Sequence, residues 1–174
     1  MGVTRLNHAV LYVRDADRTA AFYEEVLGFR RVPMGGVIPG AVFLQAPGSS
    51  NDHDLGLFSV GPGAGASAAG RGTVGLYHLA WEVDTLDELE RIAGLLSERG
   101  ALVGASDHGT TKAVYARDPD GIELEVSWLV PAERIDEAAL AGRATIRPLD
   151  LAAEKRRYGA DTPGGVGISH TAPA

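Results

Sequence analysis

The chain has 174 residues, room for one domain or two small fused modules, and is 45% hydrophobic and 22% charged, the balance of an ordinary globular protein. A net charge of −7 and a pI near 5.2 argue against a nucleic-acid or anionic-membrane partner. There is no cysteine, so disulfides and thiolate chemistry are excluded and any metal must use His, Asp, Glu or water.

That donor set suits iron, manganese, zinc or nickel. No apolar run approaches the roughly 20 residues of a membrane span. The start, MGVTRLNH, lacks the apolar region of a signal peptide, so the expected location is cytoplasmic.

In chain order, LNHAVLYV (6–13) alternates as a strand does. The acidic turn RDADR follows, then a helical stripe of Ala20, Ala21, Tyr23, Val26 and Leu27 ending at Gly28, with Asp17 expected as N-cap. RRVPM, AVFLQAP and HDLGLFSV read as three short strands. The stretch GPGAGASAAGRG (61–72) reads as a linker or mobile loop.

GLYHLAWEV (75–83) is the next strand. Leu76, His78, Ala80 and Glu82 point one way, and Tyr77, Leu79, Trp81 and Val83 the other. After DTLDE a second helix presents Leu86, Leu89, Ile92, Ala93 and Leu96 and ends at Gly100, with Thr85 as expected N-cap. LVGAS, KAVYARD and GIELEVSW are again strand candidates. From Pro131, PAERIDEAALAGR and LDLAAEKRRYG look helical, separated by ATIRP. The end, DTPGGVGISHTAPA, has the composition of a disordered tail and carries His170, which is expected to be solvated and silent.

The chain contains its own echo. LNHAVLYV aligns without a gap on LYHLAWEV, and His8 falls on His78. Each half then reads β-α-β-β-β. The expected organisation is a first module over 1–62, a Gly/Ala-rich linker over 63–74, a second module over 75–130 and a C-terminal tail over 131–174. The fold class is α+β: two βαβββ modules paired into a curved mixed sheet around a metal cleft.

In such a pair, equivalent positions of the two first strands face each other, which sets His8 opposite His78. A divalent metal is a physical reason to oppose two imidazoles, and a carboxylate would complete a 2-His-1-carboxylate set with open positions. The late strand after Asp-Pro-Asp-Gly offers Glu123 and Glu125, two residues apart and so on one face. Periodicity does not choose between them.

The stretches LNHAVLYVRDADRTAAFYEEVLGF, LYHLAWEV and ARDPDGIELEVSW resemble the vicinal oxygen chelate superfamily, over residues 4–130. That superfamily includes glyoxalase I, type I extradiol dioxygenases, fosfomycin-resistance proteins and bleomycin-binding proteins. The resemblance is strongest to extradiol (catechol 2,3-) dioxygenases. It implies a metal glutamate four residues after the glycine of the turn, which is Glu125, and hence a metal set of His8, His78 and Glu125. It further implies that His53 is the acid–base catalyst, that His108 contacts substrate from a loop, and that Tyr115, ten residues before Glu125, hydrogen-bonds the substrate oxygen.

The implied cofactor is iron(II), with manganese, nickel and zinc as alternatives. The implied partners are a small catechol-like aromatic, O2 and a second copy of the chain. The rival within the superfamily is a glyoxalase I-like lyase, isomerase or epimerase, whose extra ligand from the first half would have to be Gln45 or Asp54. A fosfomycin-type thiol transferase would call for more basic residues than Lys112 and Lys155 among the lysines. A non-catalytic drug-binding protein of this fold would typically lack the two histidines. Phe43, Leu57, Trp81 and Trp128 are candidates for core or for an aromatic-lined pocket.

Overall fold

The computed structural model describes residues 2–36 and 38–165; the expectations for the end of the chain, His170 included, fall outside the described residues. The first strand is β1 (Ala9–Val13), followed by α1 (Ala16–Leu27), β2 (Arg30–Arg31), β3 (Ala41–Gln45) and β4 (Leu55–Ser59). These strands form a sheet in the order β1-β4-β3-β2. The β1–β4 pair is parallel and the rest antiparallel.

The second set is β5 (His78–Glu82), α2 (Leu86–Glu98), β6 (Leu102–Asp107), β7 (Thr111–Arg117) and β8 (Glu123–Leu129). After a single 3-10 turn at Ala132–Arg134 come α3 (Glu137–Gly142), β9 (Arg147–Pro148) and α4 (Leu151–Tyr158). This sheet runs β5-β8-β7-β6-β9, again with its first pair parallel. The fold is therefore mixed α+β, with the β-α-β-β-β order present twice. The separator ATIRP is not a plain loop: Arg147 and Pro148 add a fifth strand against Ser106 and Asp107.

The two long helices form where an apolar stripe meets a capping residue. In α2, Leu86, Leu89, Ile92 and Leu96 are buried, and the Thr85 hydroxyl accepts from the Glu88 N–H. In α1 the cap is Asp15, whose carboxylate accepts from Arg18 N, so the N-cap expected at Asp17 moves two residues earlier. Asp17 lies in the first turn instead, where its charge suits the helix N-terminus. Gly28 ends α1 in the left-handed conformation (φ 71°) that an L side chain resists.

The chain divides into two compact units. One is the chain up to Ala68 together with Asp118–Gly121; the other is Ala69–Arg117 together with the chain from Ile122. In the first unit α1 packs on β3 and β4, over Leu11, Val13, Leu44, Leu55 and Leu57. The Asp-Pro-Asp-Gly turn belongs to this unit. Arg14 donates to the Asp120 carboxylate through its backbone N–H (2.9 Å) and its guanidinium (2.7 Å).

In the second unit α2 covers one face of the sheet, over Val114, Ala116, Leu124 and Val126, and α4 packs against α2. The Trp128 ring packs at a tilt against Tyr158 of α4, and its indole N–H donates to the Asp84 and Thr162 carbonyls. Leu57 and Trp128 are thus core in their own units, both fully buried. Lys112 is fully buried on the same face as Trp128, ion-paired to Asp107 (2.5 Å) and to Glu154 of α4 (2.9 Å). No helix among the described residues is long and apolar enough to cross a membrane.

Candidate functional site

Strand register gathers the candidate residues of the second unit. Ala80 pairs with Glu125 in the parallel β5–β8 ladder, and Tyr115 pairs with Glu125 in the antiparallel β7–β8 ladder. With a period of two, His78, Tyr115, Glu123 and Glu125 share the sheet face opposite α2. On that face His78 Nε2 lies 3.2 Å from Glu125 Oε2. The Tyr115 hydroxyl is hydrogen-bonded to Glu125 and lies 3.0 Å from His108 Nε2. The four residues thus form a continuous chain, His108–Tyr115–Glu125–His78.

The two glutamates have different partners. Glu123 pairs in register with Arg117 and their side chains form an ion pair of 3.0 Å. Glu125 has His78 and Tyr115. A hairpin closing around Asp-Pro-Asp-Gly opposes residues 117 and 123, so the opposite charges at those positions are a signal readable from the sequence that periodicity alone does not carry.

Burial first, then the Glu125 charge, then Tyr77 and the hydrogen bond to Glu125 push the Tyr115 hydroxyl up to about 12. It is therefore a neutral donor near pH 7. His78 Nδ1 is buried and makes no hydrogen bond among the described residues.

The first unit gathers a second group. His8 immediately precedes β1, and His53 precedes β4. Their rings lie 4.5 Å apart, and His53 meets Phe43 edge-on at 5.1 Å. His53 Nδ1 is 2.9 Å from the Asp52 carboxylate, which fixes its ring orientation. His8 is exposed, its Nδ1 2.6 Å from Asn7 Oδ1.

Gln45 and Asp54 are occupied elsewhere. The Gln45 side-chain oxygen accepts from Arg30 and its nitrogen donates to the Asn51 carbonyl. The Asp54 carboxylate accepts from Ala46 N, the Ser49 hydroxyl and Asn51 Nδ2 at 2.7–2.8 Å. Both shape the β3–β4 connection. Within each unit, the described residues gather no three His, Asp or Glu side chains at metal-binding spacing.

The His78–Glu125 pair nevertheless fits a metal's demands. Two donors bonded at right angles to one ion at about 2.1 Å would themselves lie about 3 Å apart. An imidazole and a carboxylate without thiolate match a hard or borderline ion.

A family model described as "Glyoxalase/Bleomycin resistance protein/Dioxygenase superfamily" matches residues 5–126. The chain belongs to the glyoxalase/bleomycin resistance protein/dioxygenase superfamily. Within that superfamily it is 32% identical over 136 residues to the biphenyl-2,3-diol 1,2-dioxygenase 3 of Rhodococcus globerulus, covering 76% of this chain and 68% of that protein. It is 30% identical over 123 residues to the catechol-2,3-dioxygenase of Bacillus subtilis (strain 168), covering 71% of this chain and 41% of that one. The chain thus spans less than half the length of the Bacillus protein.

Among solved structures, the superfamily fold is matched by a glyoxylase/bleomycin resistance protein/dioxygenase domain from Frankia sp. EAN1pec. The TM-score is 0.60 at 23% identity, over 72% of this chain and 92% of that one. The superfamily match ends at residue 126, so α3, β9 and α4 lie beyond it.

Proposed function

We propose that this superfamily member is a metal-dependent extradiol-type ring-cleavage dioxygenase acting on a catechol-like aromatic. The observation that carries the reading is the chain His108–Tyr115–Glu125–His78. It sets two proton-handling groups beside a carboxylate–imidazole pair suited to a metal. The dioxygenase relatives are consistent with it.

In this reading His78, Glu125 and His8 hold a divalent ion, iron(II) by preference. When bound, that ion would bring a catechol and O2 together and allow charge to pass between them. The protein's own residues do the rest. The Tyr115 hydroxyl donates a hydrogen bond to the substrate's oxygen, and His108 orients that hydroxyl. His53, held by Asp52, takes a proton from the catechol and returns it later.

Register supports this reading over glyoxalase chemistry. Position 56 of β4 pairs with Val10 and Phe43 as Glu125 pairs with Ala80 and Tyr115. The residue there is glycine, and the Phe43 ring comes within 3.4 Å of where its side chain would begin. The first module therefore brings no carboxylate to the position equivalent to Glu125, and Gln45 and Asp54 are already engaged.

The test is iron loading followed by catechol-dependent O2 uptake with a yellow ring-cleavage product. His78→Ala is expected to lower metal content and end turnover. His53→Ala is expected to keep the metal and slow cleavage by about 10²–10⁴, the scale of acid–base catalysis. Thiohemiacetal isomerisation without O2 uptake would replace this reading with the glyoxalase one.

A further inference from the structure

We propose that the segment beyond the superfamily match, Glu137–Pro148, is a positioning element for His108. The inference rests on the ring-cleavage reading for what His108 does, and on the structure for how it is held. His108 lies in the tight β6–β7 turn, between Asp107 and Gly109. Locally the turn is closed by His108 N donating to the Thr111 carbonyl (2.9 Å) and Gly109 N donating to the Asp107 carboxylate (2.8 Å).

Val130 N donates to the Thr110 carbonyl (2.9 Å), and the extension adds further contacts to the turn. Gly109 has φ 75°, and a side chain there would run into the Ala139 carbonyl of α3. Reciprocally, a Cβ on Gly142 would lie 2.8 Å from the Gly109 Cα and 2.9 Å from Arg147 Nη2. Two glycines thus let α3 touch the turn backbone to backbone. Arg147 of β9 binds the other Asp107 oxygen (2.8 Å), and its strand pairs with β6 at Asp107. Lys112, held by Glu154 of α4, binds Asp107 from beneath.

Asp107 is one residue from His108, and His108 reaches Tyr115 at 3.0 Å. A shift of the turn by about an ångström would carry His108 beyond hydrogen-bond reach of Tyr115. Arg147 and Gly142 are therefore positioning residues: they act on His108 through Asp107 and Gly109.

Gly142→Ala makes the discriminating variant. Alanine favours a helix over glycine, so a purely local role predicts an unchanged or firmer α3. The proposal predicts the opposite at a distance: faster amide exchange at Gly109–Thr111, by about tenfold or more, and loss of the NMR contact between the His108 and Tyr115 rings. Arg147→Gln is expected to do the same, and Arg147→Lys to restore most of it. Exchange in β7 and β8 should stay as in the parent protein for all three.

Where the parent protein cleaves catechols, both disruptive variants should lower kcat more than they raise KM, by up to about 10²-fold for such a displacement, and should shift the pH–rate profile. Unchanged exchange at 109–111 and an intact His108–Tyr115 contact in both variants would overturn the positioning role. A parent protein that cleaves no catechol would instead overturn the proposed reaction, leaving the structural readouts to decide this inference.

Discussion

The two modules repeat one order of elements yet differ at paired positions. In the first, β4 carries Gly56 between Val10 and Phe43; in the second, β8 carries Glu125 between Ala80 and Tyr115. Phe43 answers Tyr115 as an aromatic without a hydroxyl, and glycine answers glutamate as a site without a donor. The same order of elements stands twice, and the residues at these two register positions place the polar groups in the second copy. The first copy keeps imidazoles, His8 and His53, with the Phe43 ring against His53.

That contrast can be broken at its two defining positions. Glu125→Gln should remove turnover and lower metal content, because the site loses its anionic donor. Gly56→Ala, at the equivalent position, should leave both unchanged. Its methyl group meets Phe43 and Val10 at 3.4 Å, and its effect should be on stability alone. Metal analysis and O2 uptake on the purified variants decide it. Equal losses in the two would dissolve the asymmetry.

The cores should behave alike where the sites do not. Leu57 and Leu124 are each fully buried beneath their own helix. Truncation of either to alanine should cost about 2–5 kcal/mol in denaturant unfolding. A cost confined to one unit would mean that the other contributes little to the cooperative transition.

Acid should separate the units again. Burial works to raise the Asp107 pKa, but the hydrogen bonds from Lys112 and Gly109 N and the charges of Lys112 and Arg147 outweigh it, holding the carboxyl below its ordinary 3.8. Unfolding releases that carboxylate to bind protons more readily. The stability it contributes is therefore complete above the unfolded value and is lost as pH falls below about 4 toward the folded value. Amide exchange around β6 and β9 should accelerate in that window, and Asp107→Asn should flatten the response.

The smallest contrast lies at the helix caps. Asp15→Ala and Thr85→Ala should each cost about 1 kcal/mol, and thermal melts of the two variants would show whether the two helices depend equally on their caps.

Much of this architecture could be read from the chain. The strands that begin just after His8 and at His78, and both long helices, follow from apolar periodicity, because burial on one face imposes it. Asp15 and Asp17 both offer a carboxylate that can accept from a first-turn N–H, and only backbone geometry selects Asp15 as the cap of α1. Strand β9 was invisible: two residues, one a proline, carry no periodicity. Lys112 in KAVYARD gives no sign that it is buried, since its partners Asp107 and Glu154 come together only through tertiary contact. The choice between Glu123 and Glu125 lay in pairing rather than in pattern. Arg117 takes one glutamate, which leaves the other to His78.

The loop Asp118–Gly121 lies between two strands of the second unit but completes the first. A polypeptide ending at Ala68 would expose the Arg14 guanidinium and its backbone N–H with no carboxylate to receive them. The two halves, if cut apart at the glycine-rich join, should therefore not be self-sufficient pieces. Mixing them in trans should restore the first only when the second brings its turn.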